Sequence, residues 1–198
     1  MSSGGEHDRV GTLSSLRPAP IDHGQGASAS MVIDDLSAAY PLASSGAYWR
    51  FFTDGVMGGL SQGAAAPETV AGRSAIRMRG DVRVEHNGGF IQIALDVASE
   101  DHPLDASDFG GIEIDVLGNG ERYGAHLRTA AATRPWQSYR QSFLAPRLWR
   151  TVRLPFAGFE PHRIGSPLDL RQLRRIGIVA IGRAFVADLA VARVALYR

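Results

Sequence analysis

Apolar and charged residues alternate one by one along much of this chain, in short runs that glycine or proline brings to a stop. Ala75-Ile76-Arg77-Met78-Arg79 shows the pattern, and Asp81-Val82-Arg83-Val84-Glu85 repeats it before the turn sequence His86-Asn87-Gly88-Gly89. A period of two places one side of an extended segment against a core and the other against water, whereas a helix needs apolar spacing of three and four. Phe90 to Val97 continues the pattern with Ile91, Ile93 and Leu95 on one face, and Ile112 to Val116 alternates as cleanly. Tyr123 to Thr129, Trp136 to Phe143, Trp149 to Leu154, Arg175 to Ile181 and Phe185 to Tyr197 complete the set. Only Leu168 to Arg174 reads as a helical turn, capped at Asp169. About nine or ten short strands with at most one or two helical turns predict an all-β sandwich or jelly roll.

Folded sequence begins at Met31-Val32-Ile33. Residues 1–30 are rich in Ser, Gly, Pro, Ala and His without a period, and are expected to form a flexible tail ahead of one domain over 31–198. The 20 acidic and 21 basic residues nearly cancel, so no global field calls for nucleic acid or an anionic membrane. Every basic residue is arginine, which removes Schiff-base chemistry and a P-loop lysine; the lack of cysteine removes thiol nucleophiles and cysteine-ligated metals. No run approaches the ~18–20 apolar residues of a membrane span, and no leader-like apolar region precedes Met31, so a cytoplasmic location is expected.

The most distinctive segment is Trp49-Arg50-Phe51-Phe52-Thr53-Asp54-Gly55-Val56-Met57-Gly58-Gly59-Leu60-Ser61. Its glycines allow tight turning, and Asp54 can accept backbone N–H bonds across the loop. The segment resembles the Asp-Gly-Val-Met-Gly-Gly-x-Ser signature of the complex I intermediate-associated protein family. Further matches follow in order: Asn87-Gly88-Gly89-Phe90; Phe109 to Val116 with Gly118-Asn119-Gly120 and Tyr123 to Arg128; Trp149 to Phe156 with Phe159; and Ile176 to Ile178 with Phe185 to Tyr197. The resemblance spans roughly 31–198 and implies a galactose-binding-like β-sandwich. Eukaryotic members are mitochondrial assembly chaperones for respiratory complex I. The Ala-, Gly- and Arg-rich composition and the absence of an amphipathic transit helix instead suggest a bacterial member. The two signatures make Asp54, Met57, Ser61, Asn87 and Phe90 candidate ligand-binding residues.

The implied central hairpin is a candidate site of chemistry. If Ile112, Ile114 and Val116 pack beside Tyr123, Ala125 and Leu127 in one sheet, Glu113 and Asp115 share the opposite face with His126 and Arg128. Such a group is either acid–base machinery, with Asp115, Glu113 and His126 catalytic and Arg128 binding ligand, or a set of ordinary cross-strand ion pairs. Gln137 and Tyr139 suit a polyoxygenated ligand, or else Tyr139 is core. The six histidines show no zinc-like spacing and no cofactor motif is present. Galactose-binding-like domains often carry a structural calcium, for which Asp34, Asp35, Asp96 and Asp188 are the available carboxylates. The expected function is a non-catalytic binding or assembly domain with a protein or small-molecule partner, including a second copy in a homodimer. The alternatives are a cofactor-independent cyclase or isomerase acting on a biosynthetic intermediate, and a carbohydrate-binding module.

Overall fold

The computed structural model describes residue 1 and residues 30–98 and 102–198. The proposed tail therefore lies almost wholly outside the described residues. Among the described residues, twelve strands form two six-stranded antiparallel sheets. The first holds β3 (Gln62–Val70), β4 (Arg73–Val82), β12 (Phe185–Tyr197), β6 (Gly111–Gly118) and β9 (Arg150–Pro155) in that order. β1 (Met31–Asp34) lies against the second half of β12, with Met31 opposite Leu196. The second runs β10 (Glu160–His162), β8 (Ser138–Leu144), β7 (Arg122–Thr129), β11 (Leu173–Ile181), β5 (Phe90–Asp96) and β2 (Tyr48–Thr53). The chain is the all-β sandwich that its alternation predicts. No α-helix occurs among the described residues; single 3-10 turns lie at Asp54–Met57, Glu85–Asn87, Phe156–Gly158 and Leu170–Gln172. At the last of these Asp169 caps as expected, its side chain accepting from the Arg171 N–H.

One continuous core fills the space between the sheets. Ile76 and Met78 of β4, Ile112 and Ile114 of β6 and Leu189 of β12 meet Ile91 and Ile93 of β5, Tyr123 and Leu127 of β7 and Ile178 of β11. Burial of this kind stabilises by roughly 25 cal/mol per Å² of apolar surface and provides most of the driving force for the fold.

The central hairpin is corrected. The apolar faces of β6 and β7 do pack together, but the strands belong to different sheets and meet across the sandwich. The turn at Gly118-Asn119-Gly120 carries the chain from one layer to the other. It is held there by Gly118 N–H to Pro146 O (2.7 Å), Gly120 N–H to Ala145 O (2.9 Å) and the Asn119 amide to Val186 O (2.8 Å). Two strands whose inner faces oppose each other must point their outer faces apart. Glu113 and Asp115 therefore stand on one outside of the molecule, and His126 and Arg128 on the other.

Candidate functional site

The two Gly-rich signatures converge at one end of the sandwich. The loop between β2 and β3 and the loop between β4 and β5 close around the Asp54 carboxylate, which is fully buried. Its Oδ1 accepts the Ser61 N–H (3.0 Å); its Oδ2 accepts the Ser61 hydroxyl (2.6 Å) and the Gly89 N–H, with the Phe90 N–H at 3.4 Å. Ser61 Oγ in turn accepts the Arg83 N–H (2.9 Å), which ties in the end of β4. The glycines leave room for this carboxylate: a Cβ on Gly59 would lie 2.2 Å from Asp54 Cγ, and one on Gly88 would lie 2.4 Å from Oδ2. Burial pushes the Asp54 pKa up, but the Ser61 hydroxyl and the Gly89, Ser61 and Phe90 N–H groups outweigh it, and the group is held below the usual carboxylate range. Asp54, Ser61, Gly88 and Gly89 thus form the pin that sets two loops.

What those loops present outward is apolar. Val56 is 76% exposed and Met57 53%, and Leu60 and Val84 are exposed beside them. Leu148, in the β8–β9 connection, and Val186, at the start of β12, are exposed at the same end. Phe90 is half-buried, and the Asn87 side chain lies outside the described residues.

The remaining candidates are placed elsewhere. On the outer face of the first sheet, Glu113 pairs with Arg153 (3.2 Å) and Arg193 (2.5 Å), while Asp115 pairs with Arg73 (2.6 Å) and accepts the Thr151 hydroxyl. Burial raises the Asp115 pKa, but Thr151 and Arg73 together hold it low, so this acid is ionised. Tyr139 is core, its hydroxyl donating to Pro167 O (2.9 Å). Gln137 sits in the β7–β8 connection, where its carbonyl accepts the Arg134 N–H (2.9 Å) and its amide donates to Arg163 O (3.0 Å). Arg128 donates to Ala132 O (2.8 Å) and Pro135 O (2.9 Å), fastening that same connection.

The carboxylates weighed for calcium do not gather into a metal site among the described residues. Asp34 accepts the Trp49 indole N–H (2.6 Å) and the Leu36 and Ser44 N–H groups, Asp96 pairs with Arg50 and Arg175, and Asp188 pairs with Arg77.

The outer face of the second sheet carries Phe90 and His126, two of the residues expected from sequence, beside others that sequence did not point to. By register, Tyr48 and Phe52 of β2 and Phe90 and Gln92 of β5 share it with His126 of β7 and Arg140 of β8. The alternation of β2 and β5 carries that signal, but only the register brings the rows together.

The sequence matches the model of the family Complex I intermediate-associated protein 30 (CIA30) over residues 40–189. The chain belongs to this family. The family match includes both loops pinned by Asp54. A search of the curated proteins finds no match. Among solved structures, the chain is similar to a family 11 carbohydrate-binding module from Clostridium thermocellum in complex with a β-1,3-1,4-mixed-linked tetrasaccharide. That match has a TM-score of 0.64 and 13% identity, covering 87% of this chain and 97% of the module. The family 11 module of a cellulosomal cellulase of the same organism matches with a TM-score of 0.65 and 13% identity, over 87% and 96% of the two chains. A family 30 carbohydrate-binding module matches with a TM-score of 0.53 and 15% identity, over 68% and 73%. At these identities the likeness is one of fold: a galactose-binding-like jelly roll. No helix among the described residues is long and apolar enough to cross a membrane.

Proposed function

We propose that this family member is a non-catalytic docking domain that grips a protein partner through the loop end of its sandwich. The observation that carries this reading is the exposure of Val56, Met57, Leu60 and Val84 on two loops that a buried carboxylate holds in place. Apolar side chains on a fixed scaffold lose little entropy on contact and supply the desolvated centre that interfaces need. The described residues lend the cyclase alternative no support, since Glu113 and Asp115 are paired to arginines on the side of the molecule away from His126. A cleft of about 400 Å³ near Leu36, Tyr40 and Pro67 has one acid in its lining, Glu68, itself paired with Arg77 and Arg79.

A chain without lysine gives amine cross-linkers no side chain to attack, so the test uses a photoreactive phenylalanine analogue. Installed at Met57 it should capture a defined partner in cells, and installed at Arg171, on the opposite end, it should not. Equal capture from both positions, or none from Met57, rejects the loop end as the docking surface.

A second reading is favoured by the row of aromatics on the outer face of the second sheet. Tyr48, Phe52 and Phe90, with the Gln92 amide between them, offer ring area and orientation for a saccharide, in the manner of an aromatic ligand platform.

A further inference from the structure

The same outer face holds a second, differently built feature. A cleft of about 280 Å³ lies over β7 and β8 and reaches the end of β11; its lining includes Arg122, Gly124, His126, Arg140, Ser142 and Gly182. Its floor is kept open by Gly124, where a Cβ would come within 3.0 Å of His126 Nε2. His126 is only 9% exposed, yet no hydrogen bond among the described residues engages its imidazole. Among the described residues the one buried side-chain polar atom without a partner is Gln141 Oε1, in the same lining, so the His126 nitrogens are not sealed in but open onto the cleft, where a ligand group can reach them.

The charged residues in its lining are both arginines. Arg140 stands opposite His126 in register, half-buried, with Nε donating to Ser138 Oγ (2.9 Å) and no carboxylate paired to it among the described residues. Glu160 faces Arg140 in register on β10 but forms no ion pair with it. Arg122 adds an exposed guanidinium at the mouth. On the same outer face Arg175 is neutralised by Asp96, as Arg77 is by Glu68 and Asp188 on the other sheet. Arg140 and Arg122 have no such carboxylate among the described residues.

We propose that this cleft takes the oxyanion of a small hydroxylated ligand, a carboxylate or a phosphate, between Arg140 and Arg122, with the His126 imidazole making a directional hydrogen bond to it. Guanidinium groups match either oxyanion in a planar, two-toothed geometry, and charge-assisted bonds of this kind are about twice as strong as neutral ones. Burial, and then the neighbouring Arg140 and His162, hold the ring neutral, with its pKa pushed down to about 3. A neutral imidazole has one donor and one acceptor nitrogen, so its N–H can donate to the oxyanion while its other nitrogen accepts a hydrogen bond from a hydroxyl. A hydroxy acid or a sugar phosphate satisfies both demands; a neutral sugar satisfies only the second.

The test follows the His126 ring signals by NMR in the full chain at low ionic strength. Glucuronate and glucose 6-phosphate are titrated as the two oxyanion sources, and glucose as the neutral control. The His126 resonances should move with one or both acids and stay still with glucose. Arg140→Gln should weaken that response by about tenfold, the loss of one charge-assisted contact. Arg122→Gln should weaken it less, and Arg171→Gln on the opposite end should leave it unchanged. A response to glucose equal to that of the acids, no response to any probe at tens of millimolar, or equal weakening by Arg171→Gln overturns the proposal. Arg122→Gln changes an exposed side chain and keeps the test decisive if Arg140→Gln fails to fold. A shift with glucose 6-phosphate alone, or with glucuronate alone, assigns the source.

Discussion

Asp54 makes the family signature intelligible as chemistry. A carboxylate that is buried yet accepts several N–H and O–H donors is cheaper to keep ionised than to protonate, and every donor comes from the residues that recur in the motif. Asp54→Asn keeps the shape but turns one acceptor into a donor facing either the Ser61 N–H or the Gly89 N–H. It should lower unfolding free energy by about 2–4 kcal/mol in urea titrations. Gly59→Ala should fall in a similar range, because its methyl group occupies the carboxylate's place. His126 gives a second expectation at this scale. Its folded pKa lies near 3, well below its ordinary value of 6.5 in the unfolded chain, so the unfolded state binds the extra proton first. Stability from this group is complete above pH 6.5 and is lost as pH falls from there towards 3, at about 1.4 kcal/mol per pH unit. Melting temperature should decline across that window, and His126→Gln should flatten the decline; an unchanged slope in the variant would place the acid sensitivity elsewhere.

At the scale of the strand, alternation was a good guide to which side chains face inward and a poor one to which strands are neighbours. Ile91, Ile93 and Leu95, or Ile112, Ile114 and Val116, are core as their spacing demands. The same spacing is satisfied whether two inner faces lie side by side or opposed, which is why the Glu113, Asp115, His126 and Arg128 cluster dissolved. Ala75 to Glu85 looks like two strands but is largely one, β4, because Gly80 is needed where β3 passes: a Cβ there would lie 2.3 Å from Gln62 O. β2 and β3 went unread since one merges into the Gly-rich loop and the other is a run of small residues around Pro67. The loop site was legible because glycine and aspartate spacing is local; the basic cleft was not, because Arg122, His126 and Arg140 come together only through register. Pro67 has a further role. Among the described residues β3 is an edge strand with β4 as its one sheet neighbour, and proline presents no N–H to an incoming strand. Pro67→Thr should leave the melting temperature nearly unchanged and raise the rate of light-scattering aggregation on mild heating; aggregation equal to the parent would show that the edge is guarded by other means.

Across the whole molecule, surface chemistry divides by face. The outer face of the first sheet is a lattice of arginine and carboxylate pairs running from Glu68 and Arg77 to Glu113 and Arg193, and it leaves little charge unspent. The outer face of the second sheet keeps aromatics on one side and unpaired arginines on the other. The loop end is apolar. These surfaces share one core but do not share side chains, so a substitution at one is expected to leave the others intact.

The pairing of β1 with the last strand has a consequence for how such a body is carried. Its first strand and its final one run antiparallel as immediate neighbours, Met31 beside Leu196, so chain enters and leaves at the same spot on the surface. A unit with that property can be spliced into a surface turn of a host protein as a cassette, holding the host's cut ends together while its loop end points away from the join.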